Sequence, residues 1–203
     1  MYDAPANEWF DMSLSSRFGR VEADRIKMRN RRTYQEIIFA ALGFQFRGED
    51  PVVHLPLPRA TTPGLVGLEQ RAGDVWPSKK WTRYQEFAER LEVRGYATRW
   101  FVQRDTLVDY ATDINECEFV VCGDTLAMHL ALWLGKKVVT IFTCTSPYEI
   151  YGYGRMTKII SPLLEEFFYQ REYSPRPADA ISADTVEQSF LALAAANRSE
   201  ESV

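Results

Sequence analysis

From Gly64 to Phe142 the chain alternates short apolar runs, rich in β-branched and aromatic residues, with stretches of helical period. The links between them are only a few residues long, and nothing constrains the fold more. Strands joined through a helix by such links run parallel with right-handed crossovers, so the fold class expected is α/β, a Rossmann-like parallel sheet with flanking helices. Strands are predicted at 65–69, 97–103, 118–122 and 138–142. A helix is predicted over 82–95, where Tyr84, Phe87, Ala88 and Leu91 share one face and Gly95 follows the end. A second covers 107–115, capped by Asp105 or Thr106, and a third covers 126–134, ended by Gly135. A last helix over 184–198 takes Ser182 or Asp184 as its cap.

The residues before Gly64 read differently. Trp9 and Phe10 stand in a polar setting, and the basic run KMRNRR at 27–32 reads as a solvated helix or connector face, because no aromatic platform for nucleic acid flanks it. Thr33 and Glu36 have the spacing of a capping box ahead of the apolar run IIFAAL, with Gly43 as the stop. Residues 47–64 are rich in proline and polar groups and read as an extended connector. The organisation expected is therefore a connector and helical appendage over 1–62, then one Rossmann-like domain over 63–203.

With 46% hydrophobic residues, the 203-residue chain holds enough apolar material for one sizeable core. A net charge of -4 offers nucleic acid or an anionic membrane no general attraction, so phosphate recognition has to be local. No apolar stretch approaches the roughly 18 residues of a membrane span, and the opening lacks the parts of a signal peptide. A cytoplasmic protein is expected, without nucleic-acid partner or membrane span. Cys117 and Cys122 flank an apolar run and read as small buried hydrophobes, while Cys144 sits in a loop of interest. With only His54 and His129, a histidine-rich metal site or a nucleophilic triad finds little support. There is no G-x-G-x-x-G and no P-loop motif, which argues against a dinucleotide-dependent dehydrogenase and a P-loop phosphotransferase.

In an open parallel sheet, ligands bind beyond the carboxyl ends of the strands, where helix N-termini expose unpaired amides. Asp124 and Thr125 fall there. Either can cap the helix that follows or meet a phosphate, and His129, one turn in on the face of Thr125, is a core residue or a phosphate partner. After the strand at 138–142, Thr145 and Ser146 can donate to phosphate oxygens and Glu149 can accept from sugar hydroxyls; an ST-turn set by Pro147 is the competing reading. In the segment 72–81, Lys79 or Lys80 can supply the point charge a diphosphate needs.

The run GDTLAMHLALWLGKKVVTIF, followed by TSPYEIYGYGRMTKI, resembles the donor-binding signature of glycosyltransferase family 9, the heptosyltransferase-like enzymes. The matching positions are Asp124, Thr125, Met128 and His129, then Phe142 and Thr145. The segment WPSKKW resembles the family's Lys-x-Trp element, which places the phosphate-binding lysine at Lys79 and the tryptophan at Trp81. The stretch from FDMSLSSRFG to RGED is similar to the family's inter-domain region. Leu126 stands where many relatives have glycine, and Thr143 and Cys144 replace the Gly-Pro before Thr145.

The resemblance implies the C-terminal half of a GT-B glycosyltransferase that binds a nucleotide-diphosphate sugar, an ADP-sugar favoured, and takes part in inverting, metal-independent transfer. It implies no cofactor and no metal. Donor-binding residues are then Lys79, Asp124, Thr125, His129, Thr145, Ser146 and Glu149. Acceptor site and catalytic carboxylate belong to the family's other domain, so no catalytic residue is assigned, and transfer is expected only with a separate N-terminal-type domain or subunit. The alternative is a non-catalytic binding or assembly module on the same fold, with a homo-oligomer as its partner.

Overall fold

A computed structural model describes residues 18–51, 55–57 and 61–200. Trp9, Phe10 and His54 lie outside the described residues, as do parts of both connector segments. The chain divides into two compact units, Met1–Asp50 with Ser146–Tyr151, and Pro51–Thr145 with Gly152–Val203.

The smaller unit carries α1 (Arg20–Arg29) and α2 (Tyr34–Ala41). The capping box forms: the Glu36 amide donates to Thr33 Oγ1 at 3.3 Å, and the Thr33 amide donates to Glu36 Oε2 at 2.6 Å. Gly43, at φ +80°, follows the end of α2. The basic run closes α1, where Arg31 donates to the carbonyls of Met28 and Asn30. Segment 146–151 is built into this unit. Its Tyr151 packs edge-on to Phe46 and Phe46 to Phe39, the guanidinium of Arg31 lies 4.2 Å from the Tyr148 ring, and Tyr34 binds Glu149.

The larger unit is a five-stranded, fully parallel sheet of order β2-β1-β3-β4-β5. Its strands are β1 (Thr62–Glu69), β2 (Ala97–Trp100), β3 (Cys117–Gly123), β4 (Lys137–Phe142) and β5 (Met156–Ile160). Between them run α3 (Tyr84–Val93), α4 (Leu107–Glu116) and α5 (Leu126–Trp133), and the short α6 (Arg176–Asp179) precedes α7 (Ala183–Glu200). The expected strands and helices of 63–203 are present. Thr106 caps α4 by accepting from the Asp109 amide, and Ser182 caps α7 by accepting from the Thr185 amide. Elements without a counterpart in the sequence reading include β5, an edge strand buried mainly at Ile159, and α6, a single turn opened by prolines.

Period two along the strands sorts the core. Val66, Leu68, Phe119, Val121, Val139 and Ile141 face α3 and α7 and pack on Phe87, Leu91, Val186 and Phe190, all buried. Trp81, the aromatic of the Lys-x-Trp element, belongs to this layer, and its indole donates to the Ile181 carbonyl at 2.9 Å. On β1, Gly67 leaves room for the ring of Phe101, since a Cβ there would stand 2.3 Å from Phe101 Cζ and 3.0 Å from Cys117 Sγ. Both neighbours are buried and cannot yield, so Gly67→Ala is expected to cost about 1–3 kcal/mol of stability by overpacking. Urea unfolding checks it, and an unchanged midpoint would mean that Phe101 is free to shift. Among the described residues no helix is long and apolar enough to cross a membrane.

Candidate functional site

The strand order turns back between β1 and β3, so the switch point of the sheet lies at their carboxyl ends. A cleft of about 850 Å³ opens there. Its walls come from the turn after β1, the segment after β2 and the start of α5.

The turn after β1 brings Lys79 into the cleft. Residues Pro77–Lys79 form a 3-10 turn whose Ser78 carbonyl accepts from Thr143 Oγ1 at 2.7 Å, tying it to the end of β4. Gly123 is in close contact with this turn, since a Cβ there would stand 3.1 Å from the Lys79 carbonyl. Lys79 Nζ then reaches Asp124 twice, 2.9 Å from Oδ2 and 2.8 Å from the main-chain oxygen. Asp124 is therefore an ion-pair partner. It does not take the helix-capping role open to it from sequence; Thr125 holds the N-cap position of α5.

Thr125 makes no side-chain capping bond, and its buried Oγ1 has no hydrogen-bond partner among the described residues. Trp76 lines the same cleft, its buried indole N–H is equally without one among those residues, and Lys79 Nζ lies 5.0 Å from its ring. Such orphans are uncommon in a folded interior and mark a place where a ligand can accept. The first turn of α5 carries no acidic residue, so its exposed amides and dipole face the cleft unopposed from within the helix.

The opposite wall holds residues that the sequence reading missed. Glu69, buried at the end of β1, accepts from Arg71 Nε at 2.9 Å, Arg71 Nη2 at 2.6 Å and the Arg71 amide at 2.8 Å. Tyr110 of α4 donates to Glu69 Oε2 at 2.5 Å. Burial, and then that bond, push the Tyr110 phenol far above its ordinary range, while the bond to Glu69 raises the Arg71 guanidinium. Arg104 also lines the cleft and is gripped by Asp113 at 2.6 and 2.9 Å. The signal for Glu69 was available, because a carboxylate ending an otherwise apolar strand lands where ligands bind.

Of the residues singled out from sequence, Lys79, Lys80, Asp124 and Thr125 line the cleft, and His129, Thr145, Ser146 and Glu149 do not. His129 lies one turn inside α5, half-buried, with its ring 6.4 Å from that of Trp133. Burial holds its imidazole below the ordinary 6.5, against a smaller pull upward from the Asp124 charge, so the neutral ring prevails at pH 7. With the folded value the lower one, the unfolded chain takes up its proton first, and stability is lost as the pH falls from 6.5. His129→Gln is expected to flatten this acid limb, measured as the shift in thermal midpoint between about pH 7.5 and about pH 5.5. An equal shift in both proteins would assign the limb to other groups.

Thr145, at the end of β4, is buried with Oγ1 lacking a partner. Ser146 and Glu149 fall in the smaller unit, where the Tyr34 hydroxyl donates to Glu149 Oε2 at 2.8 Å and the Tyr34 amide to its carbonyl at 2.9 Å. Cys117, Cys122 and Cys144 are buried and free, and burial pushes the Cys117 thiol up to about 12. Among the described residues no three His, Cys, Asp or Glu side chains come together to hold a metal.

Fold and cleft position together define a Rossmann-like α/β unit with a cleft at the topological switch point. Residues 104–173 of the chain match the model of glycosyltransferase family 9 (heptosyltransferase), the family whose signature the segment from Gly123 to Ile159 resembles. No curated protein matches the chain. Among solved structures, the ADP-heptose LPS heptosyltransferase II of E. coli is 20% identical with a TM-score of 0.54, over 66% of this chain and 47% of that one. The dodecameric iron-containing glycosyltransferase TibC from enterotoxigenic E. coli is 16% identical with a TM-score of 0.55, over 77% and 52%. The same TibC, solved as a heptosyltransferase in complex with ADP-D-beta-D-heptose, gives 15% and 0.57 over the same shares. At these identities the likeness establishes the shared fold. The chain spans about half the length of the structures it matches.

Proposed function

We propose that the larger unit binds a nucleoside-diphosphate sugar, an ADP-sugar by preference, in the cleft at the carboxyl ends of β1 and β3. Glycosyl transfer then requires a complementary acceptor-side domain or subunit. The observation that carries this reading is the group of donors that line this one cleft: Lys79 Nζ on Asp124, and the Thr125 hydroxyl and Trp76 indole N–H, both without a partner among the described residues. A cation, which offsets the Asp124 charge, neutral donors and a helix N-terminus suit a diphosphate, which brings many acceptor oxygens and no donor. The same groups stabilise the charge that grows on the diphosphate as the glycosyl bond breaks. Inverting transfer without metal or cofactor is part of the proposal and follows the family resemblance; a cytoplasmic location is part of it too and follows the sequence reading of the chain.

His129 and Thr145 do not line the cleft and are proposed to act on the ligand from behind its wall. The imidazole feels the charges of both Asp124 and Lys79, and the Thr145 hydroxyl has no partner among the described residues. Alanine at either position is therefore expected to weaken nucleotide binding by no more than about 1 kcal/mol with the fold intact. Preference for ADP is supported by one structural match, an ADP-heptose heptosyltransferase, and by the ADP-D-beta-D-heptose bound to another. Calorimetric titration of the whole chain with ADP-, UDP- and GDP-sugars tests the reading. Binding of one class above the others supports it and fixes the base, and no binding of any of them sinks it.

A further inference from the structure

Resting on the diphosphate reading of the cleft, we propose that Arg71 is a second, fixed cationic contact for the ligand's phosphoryl groups, with Glu69 and Tyr110 as its positioning residues.

The sheet register puts Arg71 at the centre of the site. Leu68 pairs with Trp100 and Glu69 with Cys122. Three residues beyond the first pair stand Arg71 and Gln103, whose side chains meet at 3.5 Å; two beyond the second stand Arg71 and Asp124. Arg71 thus rises from the middle strand of three, between the wall of β2 and the start of α5 that carries Thr125. Arg104 occupies the β2 side, and both its bonding edge and its partner are committed, since Asp113 also faces Arg99 at 3.7 Å.

The chemistry of the pair sets Arg71 apart from a simple counterion. A guanidinium has five N–H donors in a rigid fork. Glu69 takes Nε and one hydrogen of Nη2, leaving the other Nη2 hydrogen and both on Nη1, and Nη1 meets only Gln103 at the outer limit of a hydrogen bond. The Arg71 side chain is 38% exposed and that of Glu69 only 3%. The carboxylate is covered and its oxygens are filled by Arg71 and Tyr110, so it does not reach the ligand, and it holds the fork in one orientation. A cation fixed in this way before binding loses little freedom when an anion arrives.

The test titrates the full-length chain with inorganic pyrophosphate, and with the nucleoside and nucleoside diphosphate of whichever base binds best, following thermal midpoints in parallel. Arg71→Lys keeps the charge over Glu69 but loses the fork. It is expected to lower pyrophosphate and nucleoside-diphosphate affinity by about tenfold or more, with nucleoside affinity unchanged. Tyr110→Phe, which removes the hydroxyl that pins Glu69, is expected to give a smaller loss in the same two ligands and none for the nucleoside. Should Arg71→Lys not fold, the paired change Glu69→Gln with Arg71→Gln, which strands no charge, must show the Arg71→Lys loss. Wild-type affinity for pyrophosphate in a folded Arg71 variant would overturn the inference and leave the diphosphate site standing. A wild-type chain that binds neither pyrophosphate nor any nucleoside diphosphate would overturn the site itself.

Discussion

Lys79→Ala is expected to lower the affinity for a nucleoside diphosphate by about 2–3 kcal/mol, roughly 30- to 150-fold, the largest loss of any single side chain in the cleft. Two effects add. The ligand loses a charge-assisted hydrogen bond, and Asp124, whose side chain is only 16% exposed, keeps a negative charge beside the incoming diphosphate with nothing to offset it. Lys80→Ala separates position from charge. Lys80 also lines the cleft but is exposed and has no ion-pair partner among the described residues, so its loss is expected to change affinity by about threefold at most. Lys79→Ala with Asp124→Asn recovers the stability lost by stranding Asp124 and the part of the binding loss due to that charge, and does not recover the part lost with the lysine's own hydrogen bond. Calorimetry on the three variants decides, and wild-type affinity in Lys79→Ala would remove the lysine from the site.

Composition alone left Lys79 and Lys80 open in WPSKKW, and the resemblance to the Lys-x-Trp element chose Lys79; the physical reason for its position lies outside that segment. Gly123 and Thr143, far along the chain, seat the Pro77–Lys79 turn so that Lys79 points at Asp124. The alternation of strands and helices was legible from Gly64 on, because buried parallel strands are apolar throughout and their helices carry clear stops. β5 was not, since Met156–Ile160 is an edge strand of mixed polarity, specified by pairing with β4 more than by its own pattern. The loop after β4 reads in sequence as one cluster of hydroxyls and a carboxylate. In the structure it is divided: Thr145 stays with the sheet, and Glu149 is bonded to Tyr34, 115 positions away. Glu69, Arg71 and Tyr110 form a group only when β1 and α4 come together, and no local motif announces such a group.

The chain alone is expected to bind a nucleotide sugar and transfer nothing, because each carboxylate of the cleft except one already serves another charge. Taking a proton from an acceptor hydroxyl needs a base within hydrogen-bond reach, worth about 10²–10⁴ in rate. Glu69 is covered and held by Arg71 and Tyr110, and Asp124 is paired with Lys79. Asp105 lines the cleft, exposed and without an ion-pair partner among the described residues, so it is the one carboxylate there that a variant has to test. The family resemblance places the base in the other domain, and the chain spans about half the length of the structures it matches. The assay follows glycosyl transfer and donor hydrolysis by the pure chain, with and without a candidate N-terminal-type partner, and includes Asp105→Asn. Transfer only with the partner, undiminished in Asp105→Asn, supports the division of labour. Robust transfer by the chain alone that vanishes in Asp105→Asn would show that the cleft carries its own base after all. Nucleotide binding with no transfer under either condition would leave a nucleotide-sugar-binding module on a glycosyltransferase fold.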